Sequence, residues 1–299
     1  RKPFQEALEE FSMEILGKPA EYYDNLYHFR GKVFEKVDPA FKKFDPAKEP
    51  LRILGKLSFE IDKLDVDAEE RPGKYTSPIC FGIKIPDDVR LLVRPVSPFS
   101  DLESSFHEFG HGMHFIAIAA TTPYWQKYGI AMGISEIFST FLEGLMRDES
   151  FLLRELKISR SVAEDALARS RFMELFFLTF YAANSLTKIE FWEHKLTMEQ
   201  ADERYAQYSK DFMGMDVPGK YWQLHHVMPD ADLYSPSYMI AAVRAVELCK
   251  RIRGRFGEKW WNDKKAGKYL RDLVAPGGEI DLQSFSKLDA NVYLKTVLQ

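Results

Sequence analysis

His107-Glu108-Phe109-Gly110-His111 sets two imidazoles four residues apart with a carboxylate directly after the first. On a helix, positions i and i+4 share one face a turn apart, so both rings can reach one metal ion. Glu108 then projects beside the ion rather than onto it. A carboxylate there can take a proton from a water that the ion has activated and pass it to a leaving amine. Such an arrangement suits metal-assisted hydrolysis of a peptide bond. A helix-borne histidine pair can also be merely structural. Here, however, Phe106, Phe109, Met113 and Phe115 give the segment an apolar flank, and a purely core helix rarely carries so many histidines and a glutamate without compensation.

Catalytic zinc usually takes three protein ligands and leaves a position for water. Glu136, 25 residues after His111 on the next predicted helix, is the natural third ligand. Its neighbours Ile134, Ile137, Phe138 and Phe141 are apolar, so an ionised carboxylate among them needs a cation as partner; the alternative is a glutamate on a solvated helix face. Glu143 shares that face one heptad on and is assigned to the surroundings of the site. Glu103, one turn before His107, either accepts the remaining ring N–H of a ligand histidine or is a glutamate favoured by a helix N-terminus. His114 stands too far along the helix to complete the same coordination sphere, and is expected to pack or hydrogen-bond nearby. Histidine and carboxylate ligands also accept cobalt or manganese, but this set points to one zinc ion per chain.

These residues need a helical frame. Apolar spacing of three and four dominates the 299-residue chain, as in Phe4, Leu8, Phe11 and Ile15. Two helices are expected in the first 45 residues of a helical N-terminal part, 1–50, separated by Gly17-Lys18-Pro19 and ended by Asp45-Pro46 with Glu49-Pro50. Over 51–100 glycines and prolines recur, and Ser77–Ile83 and Leu91-Leu92-Val93 cluster β-branched and apolar residues, which predicts loops and a small sheet. Helices resume over 102–120, 131–147, 151–192, 198–212, 236–255, 257–274 and 282–297. The fold class is therefore mainly α with a small β element before the HExxH helix. No internal repeat or low-complexity linker interrupts 1–299, which reads as a single catalytic unit whose helical catalytic core is 101–299.

Composition narrows the function. A formal net charge of -4 with no block of like charges gives little support for a nucleic-acid or anionic-membrane partner. Two cysteines, Cys80 and Cys249, form neither a disulfide framework nor a thiolate zinc site. The first residues lack the apolar core of a secretory signal, and no run of about 18 apolar residues is present. A soluble enzyme of the cytoplasm is expected. The apolar run from Phe172 to Tyr181 is read as a buried helix, and Trp260-Trp261 as an anchor for a late helix.

Phe106-His107-Glu108-Phe109-Gly110-His111-Gly112-Met113-His114 resembles the signature of the thimet oligopeptidase and oligoendopeptidase F family of zinc metallopeptidases. The resemblance extends upstream through Asp62, Arg71-Pro72-Gly73-Lys74, Cys80 and Leu91-Leu92-Val93. Downstream, Glu136 has the spacing of the family's glutamate ligand, Glu143 matches a second glutamate, and Glu103 matches a carboxylate outside the ligand set. It implies a helical gluzincin-type fold with a deep channel that admits short peptides and excludes folded proteins. It also implies a late histidine and tyrosines that hold the substrate carbonyl and stabilise the oxyanion, roles that fall on His226, Tyr238 and Tyr234. Spacing from His225 to Tyr234 is the competing register. The chain departs from the family pattern at Pro229, Asp230 and Ala231 in that loop, at Ile137–Thr140 after the glutamate ligand, and in having only about 100 residues before the motif. The reaction implied is endopeptidase cleavage of short oligopeptides; the alternatives are a carboxypeptidase or dipeptidyl carboxypeptidase with the same zinc chemistry, and a non-catalytic peptide-binding protein.

Overall fold

A computed structural model describes residues 2–24, 31–75, 77–93, 97–224, 233–281 and 288–298. In chain order its α-helices are α1 (Lys2–Leu16), α2 (Asp38–Phe41), α3 (Lys48–Lys56), α4 (Pro98–Ala117), α5 (Tyr124–Tyr128), α6 (Met132–Glu143), α7 (Glu149–Arg154), α8 (Arg160–Trp192), α9 (Met198–Met213), α10 (Tyr234–Phe256), α11 (Lys264–Val274) and α12 (Ala290–Val297). The strands are β1 (Leu64–Asp67), β2 (Ile79–Lys84) and β3 (Asp88–Leu92). This is the mainly α fold with a minor sheet that the periodicity predicts.

The chain forms two compact units: Arg1–Phe34, Ala168–Ile240 and Leu294–Gln299, and Glu35–Leu167 with Ala241–Tyr293. In the first, Phe4 and Phe11 of α1 pack on Phe172 and Phe176 of α8, with ring centroids 4.8 to 6.2 Å apart. The run from Phe172 thus lies in a helix with Phe172 and Phe176 buried, as expected. Arg169, also buried, is satisfied by the Val33 carbonyl and the Glu14 carboxylate. α9 starts on a capping box between Thr197 and Gln200 and stops at Gly214 in the left-handed region.

The second unit holds the sheet and the HExxH helix. Strand order is β1-β3-β2, with β1 parallel and β2 antiparallel to β3, so β2 is an edge strand. α4 lies on this sheet. Pro98 opens the helix, and Asp38 fixes that end by accepting from the Phe99 amide at 2.8 Å and the Ser97 hydroxyl at 2.9 Å. Trp260 and Trp261 are buried against Phe141 and Phe151, so they anchor this core.

Among the local expectations that differ from what forms are two at α3 and at α7 and α8. α3 runs through Pro50, because a proline in a helix's first turn removes an N–H that has no intrahelical partner anyway. The predicted helix over 151–192 is two, α7 and α8, with Lys157 at φ 55° in the connection. Among the described residues, no helix is long and apolar enough to cross a membrane.

Candidate metal centre

Gly110, inside the motif, decides how closely α4 and α6 approach. A Cβ there would lie 2.4 Å from the Phe138 carbonyl oxygen and 2.5 Å from the Ser139 Cα. Only a residue without a side chain lets the two backbones meet. On the other side of α4, a Cβ at Gly112 would lie 3.2 Å from Leu64 of β1, so the helix is held between sheet and α6. The contact at Gly110 brings Glu136, less than a turn before Phe138 and Ser139, beside the histidine rings.

There the predicted ligands converge. His107 Nε2 is 3.2 Å and His111 Nε2 is 3.6 Å from Glu136 Oε2. The second nitrogen of each ring is engaged elsewhere. His107 Nδ1 is 2.8 Å from Glu143 Oε2, and His111 Nδ1 is 2.9 Å from the Ser135 hydroxyl. With Nδ1–H donated to those oxygens, each Nε2 lone pair points toward Glu136. Glu136 is 2% exposed, and the Ser139 hydroxyl donates to its Oε2 at 2.8 Å. It is therefore not the glutamate of a solvated helix face. Arg147 ties the outer carboxylates together, at 2.9 Å from Glu143 Oε1 and 3.2 Å from Glu103 Oε1.

The electrostatics suit a cation. Burial opposes charge on His107, but Glu136 and Glu143 outweigh it and raise its affinity for a proton well above normal. Burial lowers His111 to about 4 despite Glu136. Burial also pushes Glu108 up to about 7, with Glu136 and Glu143 adding to the effect. Glu143 falls to about 2, because Arg147 and His107 outweigh its burial. The negative field of Glu136 and Glu143 that favours a proton on His107 would also stabilise a metal ion there. The spacing fits too: donors around a tetrahedral ion at about 2.0–2.1 Å lie about 3.3 Å apart. The observed 3.2 and 3.6 Å bracket that figure, and one ligand atom from each of His107, His111 and Glu136 lies within 4.8 Å of the others.

Glu108 lies near the backbone of Cys80 on the edge strand, and that amide favours the charged form of its carboxyl. His114 is fully buried against Phe138, at a ring separation of 4.6 Å, with the Gly277 backbone as a polar neighbour. Its burial lowers it to about 3, so it is neutral. Tyr234 and Tyr238 belong to the first unit, where their rings are 4.7 Å apart and Tyr238 stacks on Tyr181 at 5.2 Å. His225 and His226 lie outside the described residues. Sequence reasoning missed Ser135, Ser139 and Arg147. Arg147 follows Glu143 by four residues, a spacing that could have flagged an ion pair on one helix face.

The profile of peptidase family M3 matches residues 36–278. The fold is similar to an M32 carboxypeptidase from Deinococcus radiodurans R1, with a TM-score of 0.63 at 17% identity over 99% of this chain and 64% of that one. PZ peptidase A, solved with an inhibitor, gives 0.64 at 15% identity over 99% and 54%. An oligoendopeptidase F from Bacillus anthracis str. Ames gives 0.60 at 13% over 99% and 52%. At these identities the likeness is one of fold, and the chain spans 52% to 64% of the length of these three relatives.

Proposed function

This chain belongs to peptidase family M3, and from that premise we propose that it is a zinc-dependent endopeptidase of short oligopeptides. The observation that carries the reading is the convergence of both Nε2 atoms of the HExxH histidines on Glu136 Oε2. His107, His111 and Glu136 would hold one zinc ion, with Glu143 and Ser135 orienting the two rings. When bound, the ion supplies Lewis-acid chemistry, polarising a carbonyl and lowering the pKa of water.

The chain's own groups account for the proton movements. Glu108 takes a proton from the attacking water as its oxygen bonds to the peptide carbonyl carbon, then gives it to the amine as the C–N bond breaks. A carboxyl held near neutrality by burial both accepts and donates at working pH. The oxyanion that develops needs positioned donors, and His226, Tyr238 and Tyr234 are proposed for that role on the family resemblance. Among the described residues no strand pairs with the outer edge of β2 beside Glu108, and main-chain hydrogen bonds there would hold an extended peptide whatever its sequence. Cys80 and Cys249 are free thiols, which supports work in a reducing compartment such as the cytoplasm.

Digestion of mixed short and long peptides by the wild type and by Glu108→Gln, at matched zinc content, tests the reading. Internal cuts in short peptides that vanish in the variant are expected. Release of one or two residues from the C-terminus alone would make the enzyme a carboxypeptidase or dipeptidyl carboxypeptidase. No cuts by either protein would remove the catalytic claim.

A further inference from the structure

The edge of β2 that no strand pairs among the described residues is short, and one residue ends it. The Cys80 backbone is the polar neighbour of Glu108, and in an antiparallel ladder every second residue turns its main-chain groups away from the partner strand. Beyond Gly82 the ladder is irregular, with Gly82 opposite Val89 and Lys84 opposite Asp88. Just there the Tyr128 hydroxyl accepts from the Ile85 amide at 3.0 Å and faces the Ile83 carbonyl oxygen at 3.5 Å. Tyr128 thus covers the main-chain groups that a longer added strand would use.

Its ring does not stand alone. Tyr124, one turn earlier on α5, packs on it with centroids 4.6 Å apart. Tyr124 is 73%, Tyr128 40% and Ile83 53% exposed, so an apolar ledge faces solvent at the end of the strand edge. Clustered exposed apolar side chains of this kind mark a binding surface more often than chance. The ledge is also rigidly mounted. Thr122 Oγ1 and the Ala119 amide both donate to the Ala275 carbonyl at 3.0 Å, and the Gln126 carbonyl lies against Gly277. A preformed apolar surface binds without first ordering its own side chains.

We propose that Tyr124, Tyr128 and Ile83 form a specificity-determining wall that receives an apolar side chain of the peptide on the N-terminal side of the cleaved bond. This rests on the peptidase reading above. From Cys80, beside Glu108, to Ile83 is three residues, about 10 Å of strand. A peptide added antiparallel, the slightly stronger pairing, runs from the Tyr128 end towards Glu108. Its third residue before the cut therefore meets the wall, and main-chain pairing stops there.

The test uses blocked glycine–alanine decapeptides carrying a single leucine at each position in turn. Binding is measured by calorimetry to zinc-loaded Glu108→Gln, with and without Tyr124→Ala, and cut sites are mapped with the wild type. Tyr124 is exposed enough for its replacement to leave the fold intact. The best leucine peptide should bind about five- to tenfold more tightly than the all-glycine–alanine parent. Tyr124→Ala should abolish that gain while leaving the parent's affinity unchanged, and cuts should fall so that the leucine is the third residue before the cleaved bond. Equal gains with and without Tyr124→Ala, no leucine preference, or a preference confined to the C-terminal side of the cut would overturn the proposal. A dimer that Tyr124→Ala dissociates would assign the wall to a second copy of the chain and overturn it as well. A leucine gain lost in Tyr124→Ala with no wild-type cleavage would leave the wall standing as a binding surface and remove the peptidase reading instead.

Discussion

Glu143 Oε2 lies 2.8 Å from His107 Nδ1, on the side of the ring opposite Glu136. The carboxylate therefore fixes which nitrogen of His107 is free to bind a cation and makes that nitrogen more basic. Arg147 holds Glu143 in turn. Glu143→Gln keeps the size but removes the charge. It should weaken zinc binding by about 10- to 100-fold, as losses of such outer partners do. Competition against a chromophoric chelator reads this directly; an unchanged affinity would reduce Glu143 to a packing role.

The approach of α4 to α6 at Gly110 makes a second prediction. Gly110→Ala puts a methyl group within 2.4 Å of the Phe138 carbonyl oxygen, and backbone cannot step aside as a side chain can. The helices must part, at a cost of about 1–3 kcal/mol, and Glu136 retreats from the rings. Gly112→Ala meets only Leu64 and Leu91 side chains, which can give by a few tenths of an ångström. Urea unfolding in the presence of chelator should show a large loss for the first variant and a smaller one for the second. Zinc affinity should fall mainly in the first. Equal effects would show that the inter-helix contact is not what Gly110 protects.

The parts of this site that the sequence displays are those set by local periodicity. His107, Glu108 and His111 need only one helix, and Glu136 stands out because its apolar neighbours leave a carboxylate unexplained. Ser135 and Arg147 matter only once α6 is laid on α4, a relation that no spacing within either helix encodes. The link from Tyr128 to Ile85 joins residues 43 apart and escapes for the same reason. α3 was hidden by a proline that breaks helices in their interiors but not in their first turn. The partition into two units joins segments far apart in sequence, so composition along the chain carries no trace of it.

Away from the metal centre, Glu155 ties α3 to the segment after α7 through Lys56 and Arg52, and accepts from Trp261 Nε1 at 3.2 Å. Burial pushes its carboxyl upward, but the two cations outweigh burial and hold it at about 2, against an ordinary 4.5. A folded-state pKa below the unfolded one stabilises the fold above pH 4.5, and that contribution fades as pH falls towards 2. Allowing for solvent screening, it is on the order of 1–2 kcal/mol. Glu155→Gln should be less stable than wild type at pH 7, with the gap closing between pH 4.5 and 2. Chemical denaturation at pH 7, 5 and 3.5 tests this, and a gap that stays constant with pH would contradict it.

Metal binding and folding should be linked through the same residues. Glu103, Glu108, Glu136 and Glu143 crowd one region of the second unit, and the ion pairs described there join Arg147 to two of them. A divalent cation would relieve the remaining repulsion, and its proposed ligands His107, His111 and Glu136 converge only in the folded chain. Any species that binds the native state alone stabilises it, by about 4 kcal/mol when its free concentration is a thousand times its Kd. Zinc should therefore raise the melting temperature of the wild type, and a chelator should lower it again. Glu108→Gln should keep that response, because Glu108 is proposed to act on the water and not to hold the ion. His107→Ala and Glu136→Gln should lose most of it, since each removes one of three donors. A full zinc response in His107→Ala would move the ion elsewhere in the molecule, and loss of the response in Glu108→Gln would make that glutamate a ligand.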